Sequence, residues 1–86
     1  PLSIKDLMSW AVRSSSLACE NFMLALRSFG YDSCPLEFHD SRRIKRMLEL
    51  PYDAIITMVI TAGKRAPNGV YGERMRLDKI NFIKEV

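Results

Sequence analysis

Over residues 4–29 the chain keeps a helical period, with apolar side chains on most of the circumference. One stripe reads Met8, Ala11, Val12, Ala18, Cys19, Phe22, Ala25, Leu26 and Phe29; a second reads Leu7, Trp10, Leu17 and Leu24. The charged residues Asp6, Arg13, Glu20 and Arg27 recur every seven positions and form one narrow seam. A helix on the surface of a small globule has one apolar stripe and a broad polar face. This helix has the reverse. It needs cover on several sides: from a partner subunit, from chain beyond this segment, or from the outer layers of a three-layer fold. Ser3 is placed to cap its start, with Asp6 in the first turn. Gly30 is placed to stop it at the C′ position with positive φ, with Tyr31 folding back on the last turn.

The remaining pattern is shorter-ranged. Residues 31–38, "YDSCPLEF", read as an extended segment that Pro35 confines to an edge or a bulge. Asp40 or Ser41 caps a second helix, "SRRIKRMLEL", with Ile44, Met47 and Leu48 as its apolar side and Arg42, Arg43, Lys45 and Arg46 facing outward. Pro51 ends it. Residues 54–63, "AIITMVITAG", are apolar and β-branched almost without interruption, which predicts a strand buried on both faces at the centre of a sheet. A turn-rich loop follows, with Pro67, Asn68, Gly69 and Gly72. Beyond it an arm carries Leu77, Ile80, Phe82 and Ile83 as anchors. The order of helix, strand, helix, buried strand, loop and arm is an α+β arrangement, read as a single domain over residues 1–86.

At 86 residues a lone domain buries a modest share of its surface. The hydrophobic fraction of 48% and charged fraction of 27% fit a globular rather than a disordered chain. No apolar run reaches the roughly 20 residues of a membrane span, and no signal-peptide pattern opens the chain. The start at Pro1 reads either as loss of an initiator Met or as a piece of a longer protein. Cys19 and Cys34 form no C-x-x-C pair and His39 is the single histidine, so nothing supports a zinc site. Two buried, reduced thiols and a cytoplasmic home are the expectation.

Charge alters this picture by its placement. The net charge is only +3, but residues 42–76 hold eight Lys or Arg against three Asp or Glu. On the second helix the cations read as a solvated face, without the aromatics or base-reading side chains of a nucleic-acid surface. His39 reads as a loop residue beside a helix cap. The stretch 63–76, "GKRAPNGVYGERMR", differs: Lys64, Arg65, Arg74 and Arg76 sit on a glycine-bearing loop just past a strand. Arg74 and Arg76, two apart, share a face if the segment is extended, where both reach one phosphate. A charged surface loop is the competing reading. Neither G-x-x-x-x-G-K-[ST] nor G-x-G-x-x-G is present.

These segments, taken in order, resemble the C-terminal half of the nitroreductase family of flavin enzymes. The likeness rests on the long helix, "GYDSCP" with a Glu two residues on, a short helix running into "LELP", the apolar strand ending "VITAGKR", and an R-x-R about ten residues later. It implies FMN at the interface of a homodimer whose core is the long helix. It also implies ping-pong hydride transfer from NAD(P)H, through the flavin, to a nitroaromatic, quinone or similar small-molecule acceptor. By position, Pro35, Leu36, Glu37 and Phe38 would line the isoalloxazine, and Arg74 and Arg76 would hold the phosphate with help from Lys64 and Arg65. Neither nucleic acid nor a membrane is an implied partner. Two departures bear on this. Phe38 stands where the family usually has Gly, and the family's N-terminal half, with its own phosphate motif, lies outside this sequence. A shortened relative that has lost flavin and serves as a structural or interaction protein, and an unrelated basic binding module, remain the alternatives.

Overall fold

The computed structural model describes residues 1–70 and 72–86. Helix α1 spans Ile4–Ser28, about 37 Å at 1.5 Å per residue. Both ends are fixed by local chemistry. The Ser3 backbone N–H donates to Asp6 Oδ2 at 2.9 Å and the Asp6 N–H donates to Ser3 Oγ at 3.1 Å, a reciprocal capping box. At the other end Gly30 takes φ +82°, its N–H donates to the Arg27 carbonyl at 3.0 Å, and the Tyr31 N–H reaches the Leu26 carbonyl at 2.9 Å. This pair of bonds is the Schellman closure, which needs the left-handed backbone that glycine adopts freely.

Strand β1 (Asp32–Leu36) pairs antiparallel with β2 (Val59–Gly63), Asp32 opposite Gly63 and Leu36 opposite Val59. The expected long central strand is therefore shorter and differently placed. Only the last five residues of 54–63 form a strand, and it has one partner among the described residues. Its residues are half-buried or exposed rather than covered on both faces. A ladder extends only as far as its partner, and β1 has five residues, one of them Pro35, which cannot donate.

Helix α2 runs Ser41–Met47, capped by Asp40, whose Oδ1 accepts from the Arg43 N–H at 3.2 Å. It stops well before Pro51. Glu49 adopts φ 55°, the Leu50 N–H donates to the Lys45 carbonyl at 2.9 Å, and the Glu49 N–H to that of Arg46 at 3.3 Å. This is the same closure as at Gly30, built here on a residue that carries a Cβ and so pays for the left-handed region. A single 3₁₀ turn, Lys79–Asn81, interrupts the arm.

None of the described residues is fully buried. The Cα radius of gyration is 16.8 Å, where a compact chain of this length has about 12 Å. The accessible surface is 8453 Å², against roughly 5,200 Å² for a folded monomer of this mass. The excess of about 3,200 Å² is above the roughly 1,000–2,500 Å² that one partner of an obligate interface commonly covers. On α1 the half-buried positions are Val12, Ser16, Cys19, Met23 and Leu26, on the helix that contacts β1. The stripe of Leu7, Trp10, Leu17 and Leu24 lies about 150° around the helix, at 100° per residue, and is exposed; Leu17 is 70% accessible.

Candidate functional site

The β1–β2 ribbon positions the candidate residues in two groups. Pro35 and Leu36 pair with Ile60 and Val59, and the chain continues from there into Glu37 and Phe38. Lys64 and Arg65 leave the opposite end, beside Asp32. The four residue steps between these ends span about 14 Å. Phe38 touches almost nothing in this chain: its exposure is 101%. Arg74 and Arg76 lie in an irregular exposed segment after Gly72, where Arg76 Nη1 donates to the neighbouring Met75 carbonyl at 3.1 Å. Among the described residues neither arginine makes an ion pair. The ribbon thus brings Lys64 and Arg65 together and sets Pro35–Phe38 apart from them. It does not itself hold Arg74 and Arg76.

The basic end is ordered by a residue that sequence reasoning left out. Asp32 Oδ1 accepts from Arg65 Nη2 at 2.9 Å and from Arg27 Nη1 at 3.0 Å, while Oδ2 accepts from the Arg65 backbone N–H at 3.1 Å. One carboxylate thereby joins the end of α1, the start of β1 and the exit of β2. The side-chain and backbone bonds from Arg65 lower the Asp32 pKa, and the charges of Arg65 and Arg27 add to this. The Asp32 bond raises that of Arg65 in turn. Lys64 Nζ donates to the Gly30 carbonyl at 2.7 Å and stands 4.7 Å from the centre of the Tyr31 ring, a cation–π distance. Asp32 carries little sequence signal because Arg65 is 33 residues away and meets it only through the strand register. Arg27 and Asp32 alone, five residues apart across a helix end, gave no signal.

An open groove of about 410 Å³ runs along this end, lined by Asp32, Cys34, Thr61, Lys64, Arg65 and Gly69 among others. Asp32 and Cys34 fall on one face of β1, with Thr61 opposite Cys34. Cys34 is exposed and Cys19 half-buried, and both are free thiols; the expectation that both are buried fails because β1 has no layer over this face among the described residues. A second cavity of about 810 Å³ lies beside α2, lined by Arg42, Lys45, Arg46, Glu49, Leu50 and Tyr52. Lys45 departs from the expected solvated face: its Nζ donates to the Tyr52 carbonyl at 2.9 Å and the Ala54 carbonyl at 3.0 Å, pinning the chain after α2. His39 sits beside the α2 cap as expected, with Nδ1 3.1 Å from Ser41 Oγ and Nε2 without a partner among the described residues. No helix among the described residues is long and apolar enough to cross a membrane.

Comparison with known proteins bears on the same ribbon. Residues 5–64 match the nitroreductase family, so the match takes in α1, both strands and Lys64 but not Arg65, Arg74 or Arg76. Protein DrgA of Synechocystis sp. is 40% identical over 55 residues, covering 64% of this chain and 26% of that protein. "Putative NAD(P)H nitroreductase MhqN" of Bacillus subtilis is 36% identical over 64 residues, covering 69% of this chain and 31% of its own length. The chain thus spans about a quarter to a third of these relatives. No solved structure matches it. With well over half of its residues inside the family match, and with the ribbon and its "GYDSCPLE" segment falling within it, the chain belongs to the nitroreductase family.

Proposed function

We propose that the chain forms part of an FMN-dependent NAD(P)H oxidoreductase, acting in the cytoplasm as a homodimer. The observation that carries the reading is the family match over residues 5–64, which includes both ends of the ribbon. The printed name of the Bacillus subtilis relative, an NAD(P)H nitroreductase, supports the same class.

The residues present suit part of a flavin site. An isoalloxazine is a flat ring with a stackable face and an apolar dimethylbenzene end, and a ribityl phosphate is a strong anion. The ribbon offers Leu36 and the exposed ring of Phe38 at one end and the cations Lys64 and Arg65 at the other. Pro35, Leu36, Glu37 and Phe38 would line the ring, with Phe38 adding an aromatic surface. Arg74 and Arg76 would hold the phosphate, with Lys64 and Arg65 adding positive potential. When bound, the flavin would supply ping-pong hydride transfer between NAD(P)H and a nitroaromatic, quinone or similar acceptor, while the protein supplies orientation and charge. The exposed α1 stripe would form the dimer core.

The test is purification of the full-length gene product. Flavin absorption, one FMN per protomer after reconstitution, and parallel double-reciprocal lines for NADH or NADPH against a quinone are expected. A colourless protein that takes up no FMN would overturn the reading.

A further inference from the structure

We propose that Asp32 is a resident competitor for Arg65: a phosphate group entering the groove draws the guanidinium away from the carboxylate. Asp32 would thereby set how tightly the basic end holds phosphate. This rests on the reading above that the basic end receives a phosphate.

The geometry makes such an exchange cheap. Arg65 offers five guanidinium donors and places Nη2 on Asp32 Oδ1, the oxygen that Arg27 Nη1 already occupies. When the guanidinium leaves, Asp32 keeps Arg27 on Oδ1 and the Arg65 backbone N–H on Oδ2. The carboxylate is not orphaned, and the backbone at Arg65 stays anchored while its side chain swings. The pair is also solvent-screened, with the Arg65 side chain 55% exposed and that of Asp32 23%. Exposed ion pairs are weak. A phosphate carries more charge than a carboxylate and takes arginine bidentately. Arg27, Lys64 and Arg65 against Asp32 leave the cluster with an excess of positive charge, and Asp32, Lys64 and Arg65 line the groove in common.

The test measures FMN and riboflavin affinity of the full-length gene product by flavin fluorescence at low salt. Asp32→Asn removes the competing charge but keeps an amide oxygen for the Arg65 backbone N–H. It should tighten FMN about two- to fivefold, the range that loss of an exposed pair implies, and leave riboflavin unchanged. In an Arg65→Gln background the same change should do nothing. Unchanged or weaker FMN binding in Asp32→Asn, or a gain that persists without Arg65, overturns the proposal. The functional reading fails separately if the wild type binds no flavin. Inorganic phosphate then decides the competition, followed by NMR on the Arg65 Nε–H and the Asp32 carboxyl carbon of the wild type. Both signals should move with one midpoint. An Arg65 signal that stays still, or moves while Asp32 does not, refutes the exchange. This measurement also serves if Asp32→Asn does not fold.

Discussion

If the exposed stripe on α1 is a dimer seam, removing apolar surface from Leu17 should weaken assembly twice over, because a two-fold interface uses each residue in both copies. Leu17→Ala deletes three carbons, worth about 0.8 kcal/mol each when fully buried. Leu17 is 70% exposed in the isolated chain, so most of that burial is still available to an interface. The loss is then about 1.5 kcal/mol per copy and about 3 kcal/mol per dimer, or roughly a hundredfold in dissociation constant. Leu17→Asp places an unpaired charge in the seam and should abolish the dimer at micromolar concentration. Arg43→Glu, on the exposed side of α2, should change little.

Sedimentation velocity over a dilution series of the full-length protein reads these constants directly. If Leu17→Ala and Leu17→Asp dissociate at the wild-type midpoint, the stripe is not the seam. If instead they lower the melting temperature with no dependence on protein concentration, the stripe is covered by the protein's own remaining chain. A wild type that runs as a stable monomer removes the dimer altogether.

Other expectations follow from the site and its supports. In the full-length protein Arg76→Ala and Arg74→Ala should each weaken FMN about 10- to 100-fold, since a charge-assisted bond contributes on the order of 1.5–3 kcal/mol; wild-type affinity in both would leave the loop a charged surface. The Asp32 pKa is lowered from 3.8, so its stabilisation is present above that value and is lost as pH falls through the depressed one. The stability gap between wild type and Asp32→Asn should therefore close on acidification, and a gap constant down to strongly acidic pH would refute the ion-pair account. At Glu49, φ 55° predicts that Glu49→Val destabilises by about 1 kcal/mol or more and Glu49→Gly by nothing, read by urea denaturation; equal effects would contradict the left-handed closure. Cys34, being exposed, should react with a thiol reagent faster than Cys19; the reverse order would show that β1 is covered in the assembled protein.

What was legible in the sequence was what neighbouring residues decide among themselves. Ser3 as a cap, Asp6 in the first turn and Gly30 at C′ mark both ends of α1 in the sequence, because the bonds they make reach no more than five residues. The end of α2 was missed by the same logic: the closure there uses Glu49, which carries no glycine signal, so the visible stop was Pro51. The length of β2 was missed for a different reason. The apolar run 54–63 reports how much burial those residues seek, but a strand's extent is set by its partner, and β1 supplies five positions. Lys64 and Arg65 stand out in the sequence as adjacent cations after a strand, yet their partners Gly30, Tyr31 and Asp32 depend on the register of the ribbon.

The same distinction explains why the surface of this chain is its most informative feature. Local chemistry completes both helices and strand register completes the ribbon, while the apolar residues that exceed these needs stay uncovered: Trp10, Leu17 and Leu24 on α1, and Phe38 past β1. A sequence selected to stand alone at this length would not hold some 3,200 Å² of surface above that of a compact monomer. In a chain spanning 26–31% of its relatives, such excess is where the proposed dimer partner or flavin would be accommodated. The charged groups behave differently, since Arg27 and Arg65 share Asp32 and Lys64 holds the Gly30 carbonyl within the chain. A ligand for the apolar end has only to cover what is open, whereas a ligand for the basic end has to displace a bond already made, which is why affinity at that end should respond to Asp32 and affinity at the other should not.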